Sequence, residues 1–141
     1  MDLRECIRNK TIKIIKIDKS LINSLLKTSS MKVKTQEILD LNETTANSKI
    51  TLTYDALRGL LEALAIAKGY KIYNHECYVP FLKEALNESS LGDKFDKFRK
   101  VRNSINYYGK EITIGESEVI LKELLSLIKT IRKQFFENDD K

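Results

Sequence analysis

Chain breakers are scarce in this sequence: its 141 residues include one Pro and five Gly, and Trp is absent. So few breakers argue against a turn-rich sandwich or barrel and for long uninterrupted helices. Histidine is rarer still. With His75 alone, no pair of histidines within one chain can divide the work of acid and base. Cys6 and Cys77 stand far apart with no CxxC spacing, so two reduced thiols in a cytoplasmic setting are expected. Long apolar runs are also missing. The greasiest stretch, Leu60 to Ala67, is broken by Glu62, well short of the ~18 residues of a membrane span, and no apolar leader opens the chain. A soluble, cytoplasmic protein without membrane contact is the expectation. There is no P-loop, GxGxxG, GxSxG or HExxH. His75-Glu76-Cys77 offers donor atoms, but nothing nearby completes a ligand set, so neither a metal nor a cofactor is expected.

What is present suits one packed domain over residues 1–141. Hydrophobic residues make up 42% and charged residues 32%, enough for a core and a well-solvated surface. The net charge of +5 has a location. Residues 1–34 hold nine Lys or Arg against three Asp or Glu, and the remainder sums to one negative charge. That basic quarter permits contact with nucleic acid, and a lysine-rich solvated surface explains it equally well.

The apolar spacing predicts an all-α, antiparallel bundle of about five helices, two of them long. Asp2 caps a short helix to about Asn9. The β-branched run Thr11 to Ile17 reads as a strand by itself, but no second strand is evident to pair with it. It is therefore expected to be an extended connector or edge segment lying on the core, completing an N-terminal segment over 1–17. The bundle proper spans 18–136. Asp18 caps a helix to about Leu41. A second runs from about Asn47 to Lys68, with Leu57, Leu60, Leu61 and Leu64 on one face and Gly69 as its stop. After the connector Tyr70 to Asn74, a shorter helix ends near Leu86, with Pro80 in its first turns. Another is expected from Asp93 to Tyr108, closed by Gly109. The last starts near Gly115, with Ile120, Leu124, Leu127, Ile128, Ile131 and Phe135 at the cleanest helical spacing. Residues 137–141 are expected to fray.

The chemically informative stretch is Lys94 to Lys110, KFDKFRKVRNSINYYGK. Phe95, Phe98, Val101 and Ile105 face the core by spacing, which leaves Arg99, Arg102, Asn103 and Asn106 on a neighbouring polar flank, ahead of Tyr107, Tyr108 and Gly109. Arginine is a planar donor fork suited to phosphate, and two of them a turn apart can grip one phosphodiester. Asn can contact a base or sugar, and Tyr can stack on a base. The alternative is a basic helix flank ending in half-buried tyrosines. Arg58 and Glu62 are expected to pair one turn apart, His75 to cap or pack, and Tyr54 and Tyr78 to be core or interface aromatics.

This stretch, in a chain of this length and helix order, resembles the HEPN superfamily of small helical proteins. The signature is Arg, often followed by Asn or another polar residue, with a His four to six residues beyond. Here Arg102-Asn103-Ser104-Ile105-Asn106-Tyr107 fits, with Tyr107 where the His would stand. Tyr54 to Leu64, followed by Gly69-Tyr70-Lys71 and His75-Glu76, is similar to the family's central helix and connector. The resemblance covers roughly residues 18–136. It implies an antiparallel bundle that pairs into a dimer, here expected to be a homodimer, with the motif arginines of both subunits facing a shared cleft. It also implies a possible nucleotidyltransferase partner protein, which is often encoded beside the non-catalytic members. Many members are metal-independent ribonucleases of toxin–antitoxin or defence systems, in which the Arg steadies the phosphate and the His moves a proton. Others bind RNA or a nucleotide without cleaving it.

On that basis Arg102, Asn103 and Tyr107 are the candidate catalytic residues. Arg99, Asn106, Tyr108, His75 and Glu62 are the candidate nucleic-acid contacts. Replacing His by Tyr favours binding of RNA or a nucleotide with weak or lost cleavage, because a phenol near its usual pKa of ~10 is a poor base at neutral pH. An active endoribonuclease and a non-catalytic partner subunit or scaffold are the alternatives. On an ideal helix Arg102 and Tyr107 lie ~140° apart, so they are expected to converge only where the helix unwinds, or across two subunits.

Overall fold

The computed structural model describes residues 1–137. Most of the expected frayed tail therefore lies outside the described residues. The chain runs through α1 (Leu3–Arg8), β1 (Ile12–Ile14), α2 (Lys19–Glu37), α3 (Ala46–Ala67) and β2 (Tyr70–Ile72). A 3-10 turn, His75–Cys77, leads into α4 (Tyr78–Pro80), a single turn continued as a π-helical turn over Phe81–Ala85. The chain then forms α5 (Ser89–Tyr108) and α6 (Ile114–Phe135). The result is the expected all-α bundle, with six helices among the described residues.

Short polar side chains set the helix starts. Asp2 accepts from the Glu5 amide at 2.8 Å and Asp18 from the Leu21 amide at 3.0 Å. Thr113 and Glu116 close a reciprocal capping box on α6. Gly69 and Gly109 end α3 and α5 in the left-handed region, at φ 87° and 63°, where a Cβ is costly.

α3 is the central helix and packs on both α2 and α6. Tyr54, Leu57, Leu60, Leu61 and Leu64 are fully buried, as are Leu124 and Ile131 of α6 and Phe95 and Phe98 of α5. Each such side chain stabilises the fold by ~1.5–3 kcal/mol relative to exposure. α2 joins this core more lightly. Where it crosses α3, the Ser29 hydroxyl donates to the Ala56 carbonyl at 2.6 Å, and Gly59 leaves room for the approach. Lys49 ends α2 at Glu37, four residues before the expected Leu41, because its ammonium donates to the carbonyls of Gln36 at 2.6 Å and Leu39 at 2.5 Å. α5 also begins four residues before the expected Asp93. Gly92 is a packing glycine inside the helix, since a Cβ there would stand 2.6 Å from the Lys83 side chain.

Two expectations at the N-terminus are corrected. The Thr11–Ile17 run has a partner after all: β1 pairs antiparallel with β2, Ile12 opposite Ile72 and Ile14 opposite Tyr70. β2 is only three residues long, too short to show an alternating pattern, yet it satisfies the backbone of β1. That ribbon draws α1 against the His75–Cys77 turn. Cys6 and Cys77, expected as separate reduced thiols, form a fully buried disulfide with their Cα atoms 6.2 Å apart. Their separation of 71 residues hid the contact from any reading of local spacing.

Candidate nucleic-acid interface

The site grows from the crossing of α3 and α5. Phe95 stacks on Tyr54 of α3, with ring centroids 5.9 Å apart, and meets Tyr78 edge-on at 5.8 Å. Two turns beyond Phe95 on α5, Arg102 lays its guanidinium over the Tyr54 ring at 5.7 Å and over the Tyr107 ring at 5.7 Å. The cation is thus held between a buried ring and an exposed one, Tyr107 being 69% exposed.

Arg102 has no carboxylate partner among the described residues. Its guanidinium donates only weakly, to Asn103 Oδ1 at 3.5 Å and to the Tyr107 hydroxyl at 3.4 Å. Its Nε is shielded from solvent and has no hydrogen-bond partner among the described residues. The Tyr107 contact corrects the expected geometry. α5 stays helical through Tyr108, and two long side chains reach across the angular offset without any unwinding.

His75 arrives at the same place from the other side. The ribbon and disulfide hold its turn against α3, Asn74 rather than His75 caps that turn, and the imidazole Nδ1 lies 3.3 Å from the Tyr54 hydroxyl. Burial lowers the imidazole pKa, and the Arg58 and Arg102 charges lower it further. His75 is therefore neutral at physiological pH. Burial likewise pushes the Tyr54 phenol up to about 12 against the pull of Arg102, Arg99 and Arg58, so it keeps its proton.

The remaining expected residues divide into two groups. Arg99 lies near enough to act on Tyr54 and His75, but Asp96 already neutralises it through bonds of 3.0 and 2.7 Å. Burial raises the Asp96 carboxyl, and the hydrogen bonds from Arg99 and Lys100 overcome this and hold it below the usual range. Arg58 and Glu62 pair as expected at 3.4 Å. Lys71 meets the other oxygen of Glu62 at 3.3 Å, so this carboxylate is occupied. Asn106 is exposed one turn beyond Arg102. Tyr108 is 83% exposed and makes no side-chain hydrogen bond within the described residues. Arg102 and His75 thus meet at one ring, that of Tyr54, and Asn103 and Tyr107 join the group through Arg102. Tyr54 itself was legible only as a core aromatic, and nothing local in the sequence marks it as the floor of a cation site.

Among the described residues no three His, Cys, Asp or Glu side chains gather as a metal site, and no helix is long and apolar enough to cross a membrane. The described residues thus form a helical bundle with, where α3 and α5 cross, a guanidinium that has no carboxylate partner among them. Comparison of the chain with protein-family models, with curated proteins and with solved structures finds no match.

Proposed function

We propose that this protein is a HEPN-like RNA- or nucleotide-binding protein of a defence or toxin–antitoxin type system. It acts as a homodimer alongside a nucleotidyltransferase partner, with nuclease activity weak or lost. The observation that carries the reading is Arg102, a cation without a carboxylate partner among the described residues and with a shielded, unused Nε. A structural arginine is ordinarily neutralised, as Arg58 and Arg99 are here. One kept unpaired between two aromatic rings suits a phosphate that arrives with the ligand. The exposed Tyr107 and Tyr108 supply faces on which bases stack.

The second reading, an active metal-independent endoribonuclease, has its own support. His75 is neutral, touches Tyr54, and stands close enough to Arg102 to feel its charge. It supplies the proton-accepting nitrogen that Tyr107 lacks. Labelled RNA incubated with the protein in EDTA separates the two. Intact RNA that is nevertheless bound, with an affinity that falls as salt rises, is the expected result. Cyclic-phosphate products lost in Arg102→Ala and His75→Ala would replace the first reading by the second. Binding indifferent to salt would refute phosphate recognition altogether.

A further inference from the structure

Beside the Arg102 centre, α3 and α5 diverge into a groove of about 490 Å³, within the range of small-ligand sites. Its polar lining comes from Ser48, Thr51 and Asp55 of α3 and Asn106 of α5, and its apolar walls are Leu52 and Ile105. Asn47 closes one end and is fully engaged. Its amide donates to the Lys110 carbonyl and its Oδ1 accepts from the Ile112 amide, each at 3.1 Å, which pins the α5–α6 connection. The other polar groups are uncommitted. No side-chain hydrogen bond or ion pair within the described residues involves Ser48, Thr51, Asp55 or Asn106. Asp55 is the unusual one, a half-buried carboxylate that forms no ion pair among the described residues.

Resting on the reading of Arg102 as a phosphate site, we propose that this groove receives a nucleobase and that Asp55 makes it selective for guanine. The groove adjoins the phosphate site, since Asp55 follows Tyr54 in α3 and Asn106 lies one turn beyond Arg102. A nucleotide whose phosphate meets Arg102 can therefore lay its base between Leu52 and Ile105. A carboxylate offers two adjacent acceptors. Guanine alone among the four bases answers with two adjacent donors, N1–H and the N2 amino group. Cytosine and adenine each set a ring-nitrogen acceptor beside their amino group, which would face the second carboxylate oxygen. Uracil has a single N–H between two carbonyls. Asn106 is placed to bond to the guanine O6 or N7 edge.

The test uses the full chain and four single-stranded oligouridylates that differ only at one central position, G, A, C or U. Affinity is read by fluorescence anisotropy at fixed salt. The wild type is expected to bind the G oligomer roughly tenfold tighter than the other three, the discrimination of one good bidentate pair. Asp55→Asn preserves shape and should abolish that preference, while the U oligomer still binds at least as tightly as it binds the wild type. Asn106→Ala, at an exposed position, should weaken the preference without abolishing it. Equal affinity for all four oligomers, or a G preference that survives Asp55→Asn, overturns the guanine site and leaves the phosphate site standing. No binding of any oligomer by the wild type overturns both.

Discussion

Replacing Arg102 by Ala distinguishes a functional arginine from a scaffolding one, because the two lose different things. In its favour as scaffold, the guanidinium contacts two rings at 5.7 Å, worth on the order of 0.5–2 kcal/mol each. Against it, the unpartnered, shielded Nε costs about 1–3 kcal/mol in the native state. The terms nearly cancel, so Arg102→Ala should change stability by no more than about 1 kcal/mol, a Tm shift within roughly 4 °C for a chain of this size. Binding should respond quite differently. Losing a charge-assisted contact to phosphate costs about 1.5–3 kcal/mol, roughly tenfold to 150-fold in affinity. The slope of log Kobs against log salt should shrink by about one. Differential scanning fluorimetry and anisotropy titrations across a salt series measure both in the same preparations. A Tm fall beyond about 10 °C with an unchanged salt slope would mean that Arg102 holds the bundle together and binds nothing.

Reducing the Cys6–Cys77 disulfide opens a closed loop of 71 residues, so dithiothreitol or a Cys6→Ser, Cys77→Ser double variant should cost about 4 kcal/mol. Intact mass under non-reducing conditions should lack two hydrogens, and alkylation of two thiols in the denatured, unreduced protein would contradict the pairing. His75 has a lowered pKa in the fold, so the unfolded chain binds its proton first. Stability should be complete above the unfolded value of ~6.5 and decline as pH falls toward the folded value. The decline should be smaller in His75→Gln, and equal slopes in both proteins would exclude His75 as the cause. Lys49→Met should destabilise by about 2–3 kcal/mol, because two carbonyls at the end of α2 lose a charged donor. Faster amide exchange confined to the last turn of α2 would mark the cause.

The bundle was legible wherever a local pattern carried it. The α3 leucines at 57, 60, 61 and 64 recur at helical spacing and are all buried. Asp2, Asp18, Gly69 and Gly109 sit where caps and stops belong. Reading failed where a residue's role is set by something distant. Gly92 looks like a loop glycine until Lys83 is packed against it, and Lys49 looks like a surface cation until its ammonium reaches the end of α2. The cysteine pair depends on a three-residue strand that no periodicity can reveal. The candidate site divides in the same way. Arg102 and Tyr107 stand out on one helix by spacing and type. The approach of His75 and the Tyr54 floor depend on how three elements cross.

That division explains why the centre has an imidazole although Tyr107 stands where the proposed HEPN-like motif would place a histidine. The ribbon and the disulfide anchor the basic N-terminal segment on the same stretch that carries His75. Lys13 lies over the Tyr73 ring at 5.5 Å, two residues before it, and Cys6 is joined to Cys77, two residues after it. The surplus of positive charge before residue 35, remote in sequence from α5, is therefore tied in part to the flank of the histidine turn. Long-range attraction of a polyanion falls off over a Debye length of about 8 Å at physiological ionic strength, so lysines contribute to capture only when held that near. Capture by the N-terminal lysines and grip by Arg102 are then separable. On the proposed function, the lysines would set how fast a polyanion arrives and how steeply that rate falls with salt, and the arginine how slowly it leaves.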